Sequence, residues 1–204
     1  VICEDRHQVD TTDPSYYTAL GVFHAILASC NHRNGAHCVQ GKHVAIQGVG
    51  KTGAFLADFL LAAGARLTIT DIQAEKLTPW QQHNHVVCVA PEAIMSVPCD
   101  ILVPCAIGNV LHAKMLPTLK TAMIVPAANN PLNEDRVADA LQAQGITYIP
   151  DFVSNGGGLI LASGLYRKQP LEQIRLAVQA IEKRTEELLM NASKQQHTPL
   201  AEAL

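Results

Sequence analysis

Short apolar runs alternate with segments of helical period through the middle of this 204-residue chain. The apolar runs predict six strands, at residues 42–47, 67–70, 86–89, 101–104, 123–125 and 146–149. The intervening segments predict helices or helical turns at residues 52–63, 73–77, 91–95, 110–119 and 133–144. Strands joined by crossover helices pair in parallel, with helices on both faces of the sheet. The pattern therefore predicts an α/β fold with a doubly wound, mostly parallel sheet and strand order 3-2-1-4-5-6.

Helical segments are added at both ends of this alternation. They are predicted at residues 16–31, 159–166 and 171–190, and the last has an apolar face of helical period opposite a charged, solvated face. Residues 3–15 read as an irregular opening segment, and the polar chain from Gln195 onwards is expected to fray. We therefore expect residues 1–204 to form one domain, with flanking helices within residues 1–41 and 159–192.

A glycine turn lies between the first strand and its helix. Gly48, Gly50 and Gly53 form a Gly-x-Gly-x-x-Gly pattern, and the second strand ends at Asp71. This order fits a dinucleotide site of the Rossmann type, in which the glycines admit a pyrophosphate and the acid accepts from ribose hydroxyls. A carboxylate at this position favours NAD over NADP, because it repels the 2′-phosphate. The alternative is a tight turn that binds no nucleotide.

Three later loops should reach the same edge of the sheet, because each follows a parallel strand. They are residues 105–108, 127–130 and 151–155, which offer small side chains, free backbone groups or a carboxamide. The two asparagines of the second loop precede a proline, so a turn or helix cap explains them as well as a cofactor contact does. Packing of a small thiol explains the cysteine of the first loop better than nucleophilic catalysis does, since the sequence places no base beside it.

Charge and cysteine content exclude several function classes. The chain has 15 basic and 18 acidic residues, a net charge of −3 and no basic stripe, so nothing favours nucleic acid or an anionic membrane as a partner. Its apolar stretches are interrupted by charge before they reach the roughly 20 residues of a membrane span. The six cysteines form no CxxC pair, which fits reduced thiols in the cytoplasm. The nine histidines form no HExxH motif, and no metal site is predicted.

Four motifs, in this order along the chain, carry a specific resemblance: GKHVAIQGVGKTG followed by ITDIQAEKL, then CDILVPCAIGNVL, IVPAANNPL and DRVADALQAQGITYIPDFVSNGGGLI. They resemble the cofactor-binding domain of the glutamate/leucine/phenylalanine/valine dehydrogenase family, most of all its leucine dehydrogenase branch. The resemblance spans roughly Thr18 to Tyr166. It implies reversible, NAD-dependent oxidative deamination of a leucine-like L-amino acid to a 2-oxo acid and ammonia. It also implies a homo-oligomeric full-length enzyme with a small-molecule substrate.

The resemblance further implies roles for individual residues. The implied cofactor ligands are, by subsite, the pyrophosphate loop (Gly48, Val49, Gly50, Lys51, Thr52 and Gly53), the adenosine ribose ligand (Asp71), the loop beside the cofactor (Cys105, Ala106 and Gly108), the loop near the nicotinamide ribose (Ala128 and Asn129), and the nicotinamide neighbours (Asn155 and Thr18). The implied substrate side-chain pocket contains Leu159 and Ala162.

No catalytic residue is assigned within this chain. The family's catalytic lysine, in a glycine-rich motif, and its proton-transferring aspartate belong to an N-terminal domain, and no lysine here stands in a Gly-Gly-Gly-Lys setting. The N-terminus also reads as the interior of a longer chain, so the chain alone is expected to be inactive. Leu161, Ser163 and Gly164 replace the Asn, Ala and Asp usual in the leucine branch, which leaves the substrate open. The alternative function is a stand-alone NAD-sensing or protein-interaction module without catalytic activity.

Overall fold

Six parallel strands form the sheet of the computed structural model, which describes residues 12–204. The strands are β1 His43–Gln47, β2 Arg66–Thr70, β3 Val86–Cys88, β4 Cys99–Pro104, β5 Thr121–Ile124 and β6 Thr147–Tyr148. Their order is β3-β2-β1-β4-β5-β6, and each neighbouring pair is parallel. The predicted doubly wound Rossmann sheet is confirmed.

Helices cover both faces of this sheet. They are α1 Pro14–Asn34, α2 Lys51–Ala62, α3 Arg136–Ala143, α4 Asp151–Ser154, α5 Gly157–Tyr166, α6 Leu171–Gln179, α7 Ile181–Gln195 and α8 Pro199–Ala203, with 3₁₀ helices at Ala74–Trp80, Ile94–Ser96 and Ala113–Thr118. Within residues 12–204, no helix combines the length and the apolar character needed to cross a membrane. Most of the predicted irregular segment at residues 3–15 lies outside the described residues.

Two buried clusters, one on each face of the sheet, form the core. In β1, Val44 and Ile46 belong to the larger cluster and Ala45 to the smaller, because successive side chains of a strand point to opposite faces. The larger cluster includes Leu56 of α2, and the smaller includes Leu141 of α3. Burial on both faces explains why the central strands β1 and β4 contain continuous apolar runs.

Glycines allow α1 to pack directly against the start of α5. A Cβ at Gly157 would lie 1.8 Å from the Tyr17 carbonyl oxygen, and a Cβ at Gly158 would lie 2.8 Å from Thr18 Oγ1. The backbones therefore approach more closely than any side chain permits. This contact places Thr18 beside Gly158 of α5, which is three residues after Asn155 in the chain.

The predicted single helix at residues 171–190 is wrong, because α6 and α7 are separate helices that meet at Ala180. Ala180 has φ −64° and ψ −8°, a ψ outside the usual α-helical range. Just beyond it, the Thr185 hydroxyl donates to the Ile181 carbonyl oxygen at 2.8 Å. A hydroxyl that bonds the carbonyl one turn back tends to bend a helix. The apolar period continues across this bend and does not reveal it.

The predicted frayed C-terminal tail is also wrong. Thr198 Oγ1 accepts a hydrogen bond from the Ala201 amide at 3.1 Å and caps α8, whose first residue is Pro199. Leu200 is 8% exposed and belongs to the smaller core cluster. A Thr-Pro pair is a good helix start, because threonine caps the free N–H groups and proline needs no hydrogen bond there.

Two of the predicted helices differ in extent and type, and a proline lies inside each of them. Only Ala113–Thr118 is helical within residues 110–119, and Ala74–Trp80 replaces the predicted helix at residues 73–77. Both are 3₁₀ helices with an internal proline, at Pro117 and Pro79. Proline lacks the N–H group that a longer α-helix requires, which explains both differences.

Candidate cofactor-binding cleft

The glycine turn after β1 depends on its glycines. Gly48 has φ +96°, a conformation that side chains disfavour, and a Cβ at Gly53 would lie 2.1 Å from the Gly48 carbonyl oxygen. Gly50 faces open space, since nothing lies within 4 Å of a Cβ built there. Gly50 is also the N-cap of α2 and provides no side-chain cap. The first N–H groups of α2 are therefore left for an anion at this opening.

The remaining residues of the turn divide between core and surface. Val49 is 4% exposed and packs in the larger core cluster, which holds the turn against the sheet. Lys51 and Thr52 are the first two residues of α2, and the Lys51 side chain is 80% exposed. The turn thus has a buried residue, Val49, that holds it in place, and an open side, the mouth of the turn, at which the positively charged Lys51 is exposed.

Asp71 follows β2 and is bonded to the glycine turn. Its Oδ2 accepts from the Val49 amide at 3.0 Å, and its Oδ1 accepts from the Gln73 amide at 3.0 Å. Lys76 Nζ lies 3.7 Å from Oδ1, and the Asp71 side chain is only 7% exposed. These contacts fix the carboxylate beside the turn. Because each carboxylate oxygen accepts more than one hydrogen bond, both oxygens keep capacity for ribose hydroxyls.

The loop after β4 packs against the turn and against the loop after β5. A Cβ at Gly48 would lie 2.9 Å from the Ala106 Cβ, and a Cβ at Gly108 would lie 2.6 Å from the Asn129 carbonyl oxygen. The Ala128 amide donates to the Pro104 carbonyl oxygen at 2.9 Å, which anchors the β5 loop to the end of β4. The structure therefore brings these loops to one edge of the sheet, as predicted.

Asn155 joins the loops after β5 and β6. Its Nδ2 donates to Asn129 Oδ1 at 2.8 Å and to the Ala127 carbonyl oxygen at 3.3 Å. Asn130 has φ +47°, and its amide donates to Asp151 Oδ2 at 2.9 Å, so it belongs to a turn. Asparagine tolerates this left-handed conformation. Of the two roles considered for Asn130 from the sequence, a turn or a cofactor contact, this geometry fits the turn.

Cys105 lies beneath the glycine turn, where its Cβ would be 3.6 Å from a Cβ at Gly53. Desolvation raises the pKa of its thiol to about 12. The thiolate is the nucleophilic form, and this thiol stays protonated at neutral pH. The geometry favours the packing interpretation of Cys105.

One face of α5 is apolar and exposed. Leu159, Ala162 and Tyr166 share this face at helical spacing, and Leu159 is 76% exposed. Beside it lies a cavity of about 420 Å³ between α4, α5 and α7, with Phe152 and Leu159 in its wall. The α5 sequence contains no charged residue. Arg184 of α7 also lines the cavity, but the α5 face itself suits an apolar group better than an ion.

Two exposed isoleucines at this edge were missed by the sequence reasoning. Ile72 follows Asp71 and is 87% exposed, and Ile107 lies in the loop after β4 and is 70% exposed. Large apolar side chains exposed beside polar ligands suit a flat base such as adenine. For Ile72, the sequence did offer an indication, because this isoleucine directly follows the acid that ends the second strand.

The sequence model of the glutamate/leucine/phenylalanine/valine dehydrogenase family matches residues 68–203. The match covers most of the chain and includes the loops after β2, β4, β5 and β6. The chain belongs to this dehydrogenase family.

Individual dehydrogenases of known substrate are similar over most of the chain. Leucine dehydrogenase from Bacillus cereus is 37% identical over 175 residues, which are 84% of this chain and 48% of that protein. Phenylalanine dehydrogenase from Lysinibacillus sphaericus is 42% identical over 160 residues, 76% of this chain and 42% of that protein. The predicted family and the likeness to leucine dehydrogenases are confirmed. The chain spans about half the length of these curated relatives.

A solved structure shows the same architecture. L-tryptophan dehydrogenase from Nostoc punctiforme superposes with a TM-score of 0.91 at 31% identity, over 94% of this chain and 58% of that chain. Rossmann-fold dehydrogenases generally use a nicotinamide dinucleotide. The residues of the present chain fit a dinucleotide of this kind. Gly50 leaves open space, the start of α2 has no side-chain cap, and the Asp71 carboxylate lies beside both.

Proposed function

We propose that this chain is the NAD-binding part of an L-amino acid dehydrogenase. The complete enzyme would catalyse reversible, NAD-dependent oxidative deamination of a leucine-like amino acid to its 2-oxo acid and ammonia. One observation carries the proposal: Asp71 Oδ2 accepts from the Val49 amide at 3.0 Å. This bond joins the candidate ribose ligand and the candidate pyrophosphate turn in a single preorganised unit. NAD, when bound, supplies the hydride acceptor.

Each part of the cleft then has a binding role. The open glycine turn and the start of α2 receive the pyrophosphate, and Asp71 accepts from the adenosine ribose while disfavouring a 2′-phosphate. The linked carboxamides of Asn129 and Asn155, with Thr18 nearby, hold the nicotinamide end. These groups orient the cofactor for the reaction, and they form or break no bond themselves.

The substrate side chain is assigned to the exposed face of α5. Leu159 and Ala162 present an apolar surface on α5, which itself carries no charge, and Arg184 of α7 lines the adjoining cavity. A leucine-like side chain fits this surface because its transfer from water is favourable there. The leucine and phenylalanine dehydrogenases among the relatives support an apolar substrate.

Residues 1–204 are proposed to act as one binding unit without turnover. The relatives are about twice as long as the matched region, and the resemblance assigns the catalytic lysine and aspartate to their other half. The full-length enzyme is proposed to be a homo-oligomer.

Addition of NAD and L-leucine to this chain alone is expected to give no NADH absorbance. Sustained NADH production would contradict the assignment of the catalytic groups to another domain.

Titration of the chain with NADH, followed by nicotinamide fluorescence, tests the cofactor site. We expect saturable binding that is at least about tenfold weaker in Asp71→Ala, because a charge-assisted hydrogen-bond acceptor is lost. Asp139→Ala, at an exposed position of α3, is the matched control and should bind like wild type. Absence of binding up to millimolar NADH, or an unchanged affinity in Asp71→Ala, would contradict the proposal. Equal affinities for NADH and NADPH would contradict the preference for NAD.

A further inference from the structure

Lys51 occupies a position that its own helix disfavours. It is the first residue of α2, where the helix dipole is positive and a cation is destabilising. The first turn of α2 contains no acidic residue that would compensate. Packing does not explain the lysine either, since its side chain is 80% exposed. A residue that breaks a local rule without a structural gain is a candidate for function.

Asp13 is the counter-ion of Lys51 in the described structure. Asp13 Oδ2 lies 3.7 Å from Lys51 Nζ, so the pair joins the N-cap of α1 to the first residue of α2. Asp13 Oδ1 also accepts from the Ser15 amide at 2.8 Å and caps α1. Asp13 is only 18% exposed and is fixed by its capping bond, whereas Lys51 has a flexible four-carbon stem. An exposed ion pair of this length is weak and exchanges readily.

The pair stands at the mouth of the glycine turn. Lys51 directly follows Gly50, which faces open space. On the other side, the carbonyl oxygen of Pro14, next to Asp13, would lie 3.4 Å from a Cβ at Gly158 of α5. The ammonium group therefore lies between the turn and the junction of α1 with α5. From this place its stem allows it to reach either Asp13 or an anion held at the turn.

We propose that Lys51 exchanges partners on cofactor binding. Its ammonium group separates from the Asp13 carboxylate and pairs with the pyrophosphate of the dinucleotide. This proposal rests on the proposed function and adds to it a competing counter-ion. Asp13 holds the lysine at the site before the cofactor arrives, and the doubly charged pyrophosphate then outcompetes a single carboxylate. Part of the cofactor's binding energy is spent in breaking the resting pair, so the Asp13 charge lowers the affinity for the cofactor.

Four variants and three ligands test this exchange. Lys51→Met should weaken NADH binding about five- to tenfold, and Lys120→Met is the control for the same charge change. Lys120 is exposed and directly precedes β5, at the opposite edge of the sheet. Asp13→Asn removes the competing charge but keeps a good capping residue, and it should tighten NADH binding about two- to fourfold.

The double variant, with both Asp13→Asn and Lys51→Met, distinguishes the exchange of partners from a general effect of charge on binding. Asp13→Asn should tighten binding in wild type but have little effect in Lys51→Met, because its effect acts through the lysine. ADP-ribose, which contains the pyrophosphate, should compete with NADH less well in Lys51→Met, whereas competition by adenosine should be unchanged.

The outcomes separate this proposal from the cofactor assignment on which it rests. If wild type binds no NADH, the proposed function fails. If wild type binds NADH, and Lys51→Met binds it as tightly as Lys120→Met does, the role of Lys51 is overturned. An equal effect of Asp13→Asn in both backgrounds overturns the exchange of partners.

Discussion

A single carboxamide, that of Asn155, connects two loops of the cleft. Its Nδ2 donates to Asn129 Oδ1 and to the Ala127 carbonyl oxygen. In Asn155→Ala both acceptors lose this donor, and we expect NADH binding to weaken about three- to tenfold. ADP-ribose lacks the nicotinamide and should bind almost as it does to wild type. Fluorescence titration with NADH, with and without ADP-ribose as a competitor, measures both effects.

Asn191→Ala provides the control for this substitution, since Asn191 is exposed on α7. It should leave both ligands unaffected. An equal loss of affinity for NADH and ADP-ribose in Asn155→Ala would show that Asn155 supports the whole cleft, and would count against a nicotinamide role.

Site residues could be predicted from the sequence where they belong to one local unit of the chain. Gly48, Gly53 and Asp71 belong to one strand–turn–helix–strand unit, so their order alone indicates their proximity. The Lys51–Asp13 and Asn129–Asn155 pairs join different elements, and only tertiary packing brings them together. The assigned roles of the site residues remain predictions.

At the scale of elements, the contact between α1 and α5 is tightest at Gly157. A Cβ at Gly157 would lie 1.8 Å from the Tyr17 carbonyl oxygen, and backbone cannot move aside cheaply. We expect Gly157→Ala to lower the free energy of unfolding by at least about 2 kcal/mol. Urea unfolding can be followed by the fluorescence of Trp80, the single tryptophan, which is 4% exposed.

Gly156→Ala is the matched control, one residue earlier in the chain. Its Cβ would lie 3.5 Å from its nearest neighbour, the Phe152 carbonyl oxygen, which is an ordinary contact. Its stability should stay within about 1 kcal/mol of wild type. Similar stabilities for the two variants would refute the idea that close backbone approach fixes α1 against α5.

Element boundaries show where sequence patterns stop being informative. The central strands β1 and β4 were found because both faces of the sheet are buried there and each contains a continuous apolar run. The bend at Ala180 was missed because the apolar face of α6 and α7 keeps its period across it. Helix α8 was missed because the burial of Leu200 depends on a distant part of the core.

At the scale of the whole molecule, one carboxylate ties the N-terminal and C-terminal helices together. Glu182 of α7 pairs with His24 of α1 at 2.6 Å, and its other oxygen pairs with His37 in the segment before β1. These partners are more than a hundred residues away in sequence. The resulting clamp joins the helix that carries Thr18 to the helical region that follows the sheet.

The clamp predicts how stability depends on pH. Partial burial raises the pKa of Glu182, but the hydrogen bonds from His24 and His37 outweigh it and hold the pKa below its ordinary value of 4.5. A carboxylate with a depressed pKa in the folded state stabilises the fold above its unfolded pKa. That contribution is lost as the pH falls through the lower, folded pKa.

Glu182→Gln should therefore lower the free energy of unfolding by about 1 kcal/mol at neutral pH, because the charge-assisted bonds are lost. The difference from wild type should persist down to about pH 5 and shrink below about pH 4.5, as wild-type Glu182 is protonated. Urea unfolding at a series of pH values measures this difference. Glu187→Gln, which removes an exposed carboxylate 3.8 Å from Lys183, should cost less than about 0.5 kcal/mol. A constant difference between wild type and Glu182→Gln through pH 4 would mean that the Glu182 charge does not hold the two ends of the molecule together.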